Sequence, residues 1–299
     1  GPAVVVRQIR MPTMTEAQLR KTIAWEARNY LSFAVEDSLL DFEVLNTASD
    51  DKSHMEVMLV ATPRELVDSR VGALELAGLE PIVIELEPFA LMRGVLSLPT
   101  DTMNTEDTIA FVEIGATYTH ISIASKGQFV LTRSVTTAGN SFTEAIASTL
   151  DVKSDEAERI KATEVDMSND EETVAGRTPQ GQKAVTALEP LLGELTREIR
   201  RSFAFFTFQQ EPGSSGGESA ATAVSHVVLS GGSAQLKSLA RFLQEQLSLP
   251  VEVVNNFNTP TLQLPEQLES AGDNAPLYAT AFGLALREPM LTHEKGGRR

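Results

Sequence analysis

The chain has 299 residues, of which 42% are apolar and 22% charged, so it is long enough for two domains and has the composition of a folded soluble protein. Lysine and arginine total 25 against 41 acidic residues, and the net charge of -16 argues against nucleic acid as a main partner. The sequence contains no cysteine, which excludes thiol catalysis, thiolate metal sites and disulfides. No apolar run approaches the roughly 20 residues that span a bilayer, so we expect no direct membrane insertion.

Residues 3 to 86 predict one compact α+β unit. The pattern is strand, helix, strand, strand, helix, strand, beginning with a strand at residues 4 to 10. Thr15 and Gln18 have the spacing of a capping box and predict the start of the first helix. The last strand of this order is predicted for "PIVIELEPF", residues 81 to 89.

The next patterned stretch, "TIAFVEIGATYTHISIASKGQFVLTRSV" (residues 108 to 135), alternates apolar and polar residues and predicts three strands of an antiparallel meander. Ser125-Lys126-Gly127 predicts its second turn. The first turn has an acid before it, Glu113, then Gly115 and three residues with hydroxyl groups. Backbone N–H groups, hydroxyls and a metal-binding carboxylate suit a phosphate. An acid-x-Gly hairpin is also common without a ligand, so this motif alone leaves both interpretations open.

The second half of the chain is mainly helical by pattern. Helices are predicted for residues 140 to 150, 155 to 165 and, as a long amphipathic helix, 184 to 210. Residues 164 to 182 are poor in apolar side chains and predict an exposed loop. "EPGSSGGESAATA", residues 211 to 223, has the composition of a flexible linker.

A second glycine motif follows that linker. "VVLSGGSAQLKSL" places Gly231-Gly232-Ser233 between a buried strand and a helix, where glycine lets a ligand approach the backbone and the helix start offers N–H groups. The motif is nonspecific by itself. Together with the upstream hairpin it predicts the two-sided cleft of an actin-like nucleotide fold.

Longer phrases of the sequence resemble the PilM family of type IV pilus assembly proteins, which are relatives of the cell-division protein FtsA. These phrases are "IRMPTMTEAQLRKTIAWEARNYLSF", "LDFEVLN", "VATPRELVDSRVGALELAGLEPIVIELEPFAL", "GNSFTEAIA" and "AFGLALR". Their order and spacing cover nearly everything from Val4 to Pro289. The resemblance implies an α/β, actin-like (ribonuclease H-like) two-domain fold with an inserted α+β subdomain of the FtsA/PilM type.

The resemblance also implies domain boundaries. They are residues 3 to 86 for the inserted subdomain of the first domain, 87 to 102 for a connecting helix and acidic linker, 103 to 274 for the second domain with a helical subdomain at about 150 to 210, 275 to 289 for a closing helix, and 290 to 299 for a polar tail.

Matching motif by motif, the resemblance implies a nucleotide site. Its residues are Glu113, Gly115, Ala116, Thr117, Tyr118 and Thr119 in the second phosphate loop, Gly139 and Asn140 nearby, Glu158 and Lys161 beside the ribose and base, and Gly231, Gly232 and Ser233 beside the adenosine. Glu113 would face Mg²⁺, and Glu87 is at the position where bacterial actins place the acid that orients the attacking water.

Two of these positions have simpler interpretations. Glu158 and Lys161 are three residues apart on a predicted helix and could form a solvated surface pair. Glu87 precedes a proline and could merely cap a helix.

Two departures from the family pattern affect the expected chemistry. The family's phosphate hairpin begins with aspartate, whereas Glu113 has one more methylene, which moves the carboxylate by more than about 1 Å. The family's first phosphate loop is absent, and the chain opens Gly1-Pro2 like a protease remnant, so we expect the natural protein to begin earlier. ATP with Mg²⁺ is therefore expected as the cofactor of the full-length protein. This chain is expected to bind nucleotide weakly or not at all and to lack ATP hydrolysis above background.

The resemblance implies a cytoplasmic, non-enzymatic scaffold held at the inner face of the cytoplasmic membrane by a partner. That partner would be the N-terminal cytoplasmic peptide of a PilN-like inner-membrane protein, bound in a groove between the inserted subdomain and the rest of the first domain. Pilus ATPases and self-association are further expectations. Two alternatives are a filament-forming ATPase like FtsA and an actin-fold sugar kinase. The tail "EPMLTHEKGGRR" has too few apolar residues for a membrane helix, and no catalytic base for a kinase is assigned.

Overall fold

The computed structural model describes residues 3–45, 53–97, 106–210, 223–257 and 272–287. The chain divides into two compact units, Gly1–Glu85 and Leu86–Arg299. The predicted polar tail, and all but the last residue of the predicted flexible linker, lie outside the described residues. The assignment of the first unit to an inserted subdomain stays a prediction.

The first unit is a three-stranded antiparallel sheet with a helix on one face. Its strands are β1 (Val5–Pro12), β2 (Ser38–Leu45) and β3 (His54–Pro63), in the order β1-β3-β2. Helix α1 (Glu16–Ala27) begins at the predicted capping box, in which Thr15 and Gln18 bond reciprocally. The core is made by apolar residues of α1, β1 and β3: Leu19, Ile23, Ala27, Ile9, Met11, Val57 and Leu59.

The predicted strand at residues 81 to 89 is wrong. Helix α2 (Arg64–Leu76) is followed by a segment without helix or strand, and helix α3 (Glu87–Leu96) begins inside the predicted strand. Ile82, Val83 and Ile84 are exposed. A strand needs a neighbour to complete its hydrogen-bond ladder, and no described residue forms a ladder with this segment. The alternating sequence alone could not supply that neighbour.

The second unit is built on a five-stranded sheet. Its strands, β4 (Thr108–Ile114), β5 (Thr119–Ser125), β6 (Gln128–Val135), β7 (His226–Ser230) and β8 (Val251–Val253), lie in the order β6-β5-β4-β7-β8. The predicted meander is confirmed, because β4, β5 and β6 pair antiparallel, whereas β7 and β8 continue the sheet in parallel. Lys126 and Gly127 both have positive φ (51° and 70°), as a tight two-residue hairpin turn requires.

Helices cover both faces of this sheet. One face carries α4 (Gly139–Leu150), α5 (Ser154–Thr163), α7 (Pro179–Gln210) and α8 (Leu239–Leu247). The other carries α3 and α9 (Ala275–Ala285). Successive residues of β4 therefore face opposite layers, with Val112 and Ile114 in the first core and Phe111 in the second. This two-sided burial explains why β4 is apolar at nearly every position.

Helices α3 and α9 cross at very short range. A Cβ on Gly283 would lie 1.7 Å from the Ala90 carbonyl oxygen, and a Cβ on Gly94 would lie 3.1 Å from the Ala279 carbonyl oxygen. Asn256 Nδ2 donates to the Gly94 carbonyl at 2.9 Å. The crossing is therefore a contact between helix backbones that only glycine permits.

The predicted exposed loop at residues 164 to 182 is also wrong in part. Residues 165 to 168 are buried, and α6 (Glu171–Gly176) forms within the stretch. Asp166 pairs with Lys237 at 2.8 Å and forms a β-bridge with it, and Arg177 donates to the Asp166 carbonyl at 2.7 Å. Hydrogen bonds from Ser168 and Thr173 lower the pKa of Asp170, the N-cap of α6, to about 2. Internal bonds hold the carboxylates of Asp166 and Asp170, so low apolar content did not mean exposure.

In the portions of the chain that the structure describes, every helix is too short or too polar to cross a membrane.

Candidate functional site

Two of the predicted site segments meet at the start of α4. The hairpin turn between β4 and β5 is closed by the Gly115 N–H, which donates to the Tyr118 carbonyl at 3.1 Å. The Gly139 N–H donates to the Gly115 carbonyl at 2.9 Å, and the Asn140 N–H donates to the Ala116 carbonyl at 2.7 Å. The first N–H groups of α4 thus hold the hairpin turn in place.

The Gly-Gly-Ser turn after β7 joins them. A Cβ on Gly139 would lie 2.8 Å from Ser233 Oγ and 3.1 Å from the Gly115 carbonyl oxygen. Gly231 has a φ of 83°, and a Cβ there would lie 2.5 Å from the Ile114 carbonyl oxygen. Glycine at these positions lets three backbone turns approach one another. The structure therefore brings together the hairpin, the α4 start and the Gly231 turn, which are far apart in sequence. We call this meeting point the three-turn junction.

The turn retains some free hydrogen-bond donors. No acceptor among the described residues is recorded for the backbone N–H groups of Ala116 and Thr117, and both residues are exposed. Thr119, by contrast, is fully buried and donates through Oγ1 to the Thr137 carbonyl at 2.7 Å. Of the predicted loop, the Ala116 and Thr117 N–H groups are thus available to an anion, whereas the Thr119 hydroxyl is used internally.

The predicted pair Glu158 and Lys161 is not a solvated surface pair. The Lys161 side chain is only 11% exposed, and Nζ donates to Glu158 Oε2 at 2.7 Å, Thr143 Oγ1 at 2.9 Å and the Gly139 carbonyl at 3.2 Å. Partial burial disfavours the charged carboxylate, but hydrogen bonds from Lys161 and Thr143 hold the pKa of Glu158 below its ordinary value. The pair therefore links α5 to the start of α4.

Glu113, at the end of β4, has a different environment. Its Oε1 accepts a hydrogen bond from Thr280 of α9 at 3.1 Å, while its Oε2 is buried with no partner among the described residues. Burial, and then the negative charge of Glu87, raise the pKa of Glu113. The carboxylate is thus poorly stabilised as an anion, and a nearby cation would stabilise it.

Glu87 does not cap a helix. It is the first residue of α3, the N-cap is Leu86, and no side chain caps this end. The Glu87 carboxylate instead lies 3.6 Å from His120 Nε2, and His120 Nδ1 lies 2.9 Å from Ser134 Oγ. Burial lowers the pKa of His120. His120 was not predicted as a site residue, although the hairpin register pairs it with Glu113 and could have indicated a shared face.

The acidic side chains of this region could hold a metal ion only if a bound ligand supplied further oxygen atoms. The described part of the chain contains no group of three or more histidines, aspartates or glutamates able to hold a metal. Mg²⁺ commonly takes one or two protein carboxylates together with phosphate oxygens and water. Glu113, with its unused buried oxygen, fits the protein's share of such a site.

A family model described as type IV pilus assembly protein PilM matches residues 1–289. The chain belongs to this family. A solved structure described as the PilM-PilN type IV pilus biogenesis complex is similar at 30% sequence identity and a TM-score of 0.74, covering 95% of this chain and 76% of that chain. A crystal structure of MreB 5 of Spiroplasma citri bound to AMPPNP is similar at 16% identity and a TM-score of 0.51, covering 79% of this chain and 67% of that chain.

Membership of the PilM family and the structural likenesses confirm the predicted α/β, actin-like fold. The protein is thus an actin-like member of the type IV pilus assembly proteins. The roles assigned to individual site residues stay predictions.

Proposed function

We propose that the protein is a non-enzymatic scaffold of the type IV pilus machine that binds the N-terminal cytoplasmic segment of a PilN-like inner-membrane protein. The observation that carries this proposal is the similarity to the PilM-PilN complex, which extends over 95% of the chain at 30% identity. Binding this partner would hold the protein at the inner face of the cytoplasmic membrane.

Charge supports a peptide of this kind. The protein has a formal net charge of -16, and the cytoplasmic segments that flank transmembrane helices are enriched in lysine and arginine. Opposite charges accelerate the encounter and select against acidic partners. The interaction is therefore expected to weaken as salt screens the charges.

Fluorescence anisotropy with a synthetic peptide of the partner's cytoplasmic N-terminus tests the proposal. We expect micromolar binding at low salt, weaker binding at high salt, and loss of binding when the peptide's basic residues are replaced by glutamate. A scrambled peptide of the same composition is the control. Equal binding of the scrambled and native sequences, or no binding of either, would exclude the scaffold function as proposed.

We further propose that the three-turn junction is a nucleotide site. The Ala116 and Thr117 N–H groups would bind phosphate oxygens, and Glu158 would face the ribose. The Gly231-Gly232-Ser233 turn would lie beside the adenosine. Mg²⁺ bound with the nucleotide would neutralise phosphate charge, with Glu113 as the protein carboxylate. The support is that hydrogen bonds join the hairpin turn to the start of α4, and that Lys161 in turn joins the start of α4 to Glu158.

Turnover is not expected at this site. Glu87, the candidate for orienting water, lies 3.6 Å from His120 Nε2 with its side chain 58% exposed, so no hydrogen bond from the described residues fixes it, and Glu113 is anchored to Thr280 on α9. Phosphoryl transfer depends on accurate positioning of both the metal and the nucleophile. Calorimetric titration with Mg-ATP should detect weak binding that Glu113→Gln weakens further and that replacement of the exposed Glu144 by glutamine does not. Steady phosphate release that Glu87→Gln abolishes would contradict the non-enzymatic assignment.

A further inference from the structure

Thr143, a residue that sequence reasoning did not identify, lies at the centre of the bonds that hold Glu158. Thr143 is buried on α4, one helical turn after Gly139. Its Oγ1 accepts from Lys161 Nζ at 2.9 Å and is within hydrogen-bonding distance of both Glu158 Oε2 and, at 3.0 Å, the Gly139 carbonyl. One hydroxyl therefore connects α4 to both members of the α5 pair.

The bonding pattern assigns different roles to the two charged residues. The Lys161 ammonium has three protons, and the structure gives it three acceptors: the Gly139 carbonyl, Thr143 Oγ1 and Glu158 Oε2. A lysine that is 11% exposed and fully bonded has no donor left for a ligand. The Glu158 side chain is 57% exposed, so it is the member of the pair that can meet one.

The geometry points to Thr143 as a positioning residue: together with Lys161 it holds Glu158 Oε2, so that Oε1 is presented as an acceptor to the vicinal diol of a ribose. The hydroxyl has a single proton, and its contact with Glu158 Oε2 is shorter than its contact with the Gly139 carbonyl. The Thr143 hydroxyl therefore accepts a hydrogen bond from Lys161 and donates its own proton to Glu158 Oε2. A carboxylate oxygen that is free and fixed in orientation is suited to accept from a diol hydroxyl.

This inference rests on the proposed nucleotide site for the identity of the ligand, but not for the positioning itself. Removal of the hydroxyl should therefore have two separable effects. Without ligand, Glu158 loses one hydrogen bond to its charged form, so its carboxyl pKa should rise. With ligand, affinity should fall for nucleotides that have the diol more than for those that lack it.

The variant for the test is Thr143→Val, which keeps the side-chain shape and removes the hydroxyl. Carbon-detected NMR titration of the unliganded protein should show a higher Glu158 pKa than in the unsubstituted protein. Calorimetry should show Mg-ATP binding weakened by about tenfold, as expected for one lost hydrogen bond to a charged group. Binding of Mg-2′-deoxy-ATP should change much less. Thr143→Ser, which restores the hydroxyl, should recover both readouts.

Thr196→Val is the matched control. Like Thr143, Thr196 is a buried helical threonine, but its hydroxyl donates to the Leu192 carbonyl at 2.8 Å, and among the described residues it bonds to neither Glu158 nor Lys161. A purely structural role of Thr143 predicts that the two valine variants behave alike, with an unchanged Glu158 pKa and an unchanged ratio of ATP to deoxy-ATP affinity, and that result overturns the inference. If the unsubstituted protein binds no nucleotide, the proposed site is wrong, and an unshifted Glu158 pKa then rejects the positioning role separately. If Thr143→Val does not fold, Thr143→Ala replaces it in both measurements.

Discussion

The α3–α9 crossing and the three-turn junction are both places where glycine lets backbone approach backbone, but they differ in the hydrogen-bond donors that remain unused. At the crossing, Gly283 lies against the Ala90 carbonyl, and Asn256 donates to the Gly94 carbonyl. At the three-turn junction, the N–H groups of Ala116 and Thr117 have no hydrogen-bond acceptor among the described residues. Close approach alone therefore indicates packing, and it indicates a binding site only where donors remain available.

Glu113 and Glu158 show the same difference between polar groups that are bonded within the protein and polar groups that remain unused. Both are acids predicted for one site, yet the pKa of Glu113 is raised, mainly by burial, whereas hydrogen bonds lower that of Glu158 below its ordinary value despite partial burial. Glu158 is stabilised as an anion by protein donors, whereas one oxygen of Glu113 has no partner in the described part of the chain. Ionisation of an acid such as Glu113 decreases the stability of the folded protein, unless a cation binds.

The largest effect is expected at the crossing. Gly283→Ala places a methyl group 1.7 Å from the Ala90 carbonyl oxygen, so the two helices must separate. We expect a loss of about 3 kcal/mol or more in the free energy of unfolding, measured by urea denaturation. Gly72→Ala in α2 is the control, because no atom of the described residues lies within 4 Å of its added methyl group. Equal stability of both variants would contradict the backbone contact.

A smaller loss of folding stability is expected at the three-turn junction. Gly231→Ala combines a positive φ with a 2.5 Å contact to the Ile114 carbonyl oxygen, and we expect it to decrease stability by about 2 kcal/mol. Gly78→Ala separates the two causes, since Gly78 has a φ of 76° but, within the described ranges, no atom within 4 Å of an added Cβ. If the two variants lose equal stability, the contact with β4 contributes nothing.

Glu113 makes stability depend on pH. Because its folded pKa is raised above the unfolded value, the stabilisation is complete below about pH 4.5 and is lost as pH rises through the folded pKa. Glu113→Gln cannot titrate, so its stability should decline less than that of the unsubstituted protein between pH 4.5 and 8, by about 1 kcal/mol. Urea denaturation across this range measures the difference. Identical pH profiles would mean that the burial of Glu113 does not disfavour its charge.

The smallest effect is expected for Thr280→Val, which removes the hydrogen bond to Glu113 Oε1. The Thr280 bond favours the charged form, so its loss should raise the pKa of Glu113 further and move the decline in stability to higher pH. We expect a change below about 1 kcal/mol at neutral pH. In a Glu113→Gln background the same substitution should no longer shift the pH profile, and a persisting shift would assign it to another group.

Much of the second unit's fold was predictable because its signals are local. The meander's alternation, the turn at Lys126 and Gly127, and the strand before Gly231 depend on residues close in sequence. The capping box at Thr15 is equally local. The strand predicted at residues 81 to 89 failed because a strand exists only with a neighbour, which pattern alone cannot supply.

For the candidate site, the sequence alone determined which segments carry glycines, hydroxyls and acids, and the family pattern indicated that they belong together. Only the tertiary structure decided how each group is used. The Thr119 hydroxyl donates to the Thr137 carbonyl, and Lys161 donates to Thr143. Glu113 keeps one oxygen without a partner among the described residues. These outcomes depend on contacts between residues up to 167 positions apart, as between Glu113 and Thr280. A side chain's free donors and its pKa are set by such distant neighbours, so local sequence could not predict them.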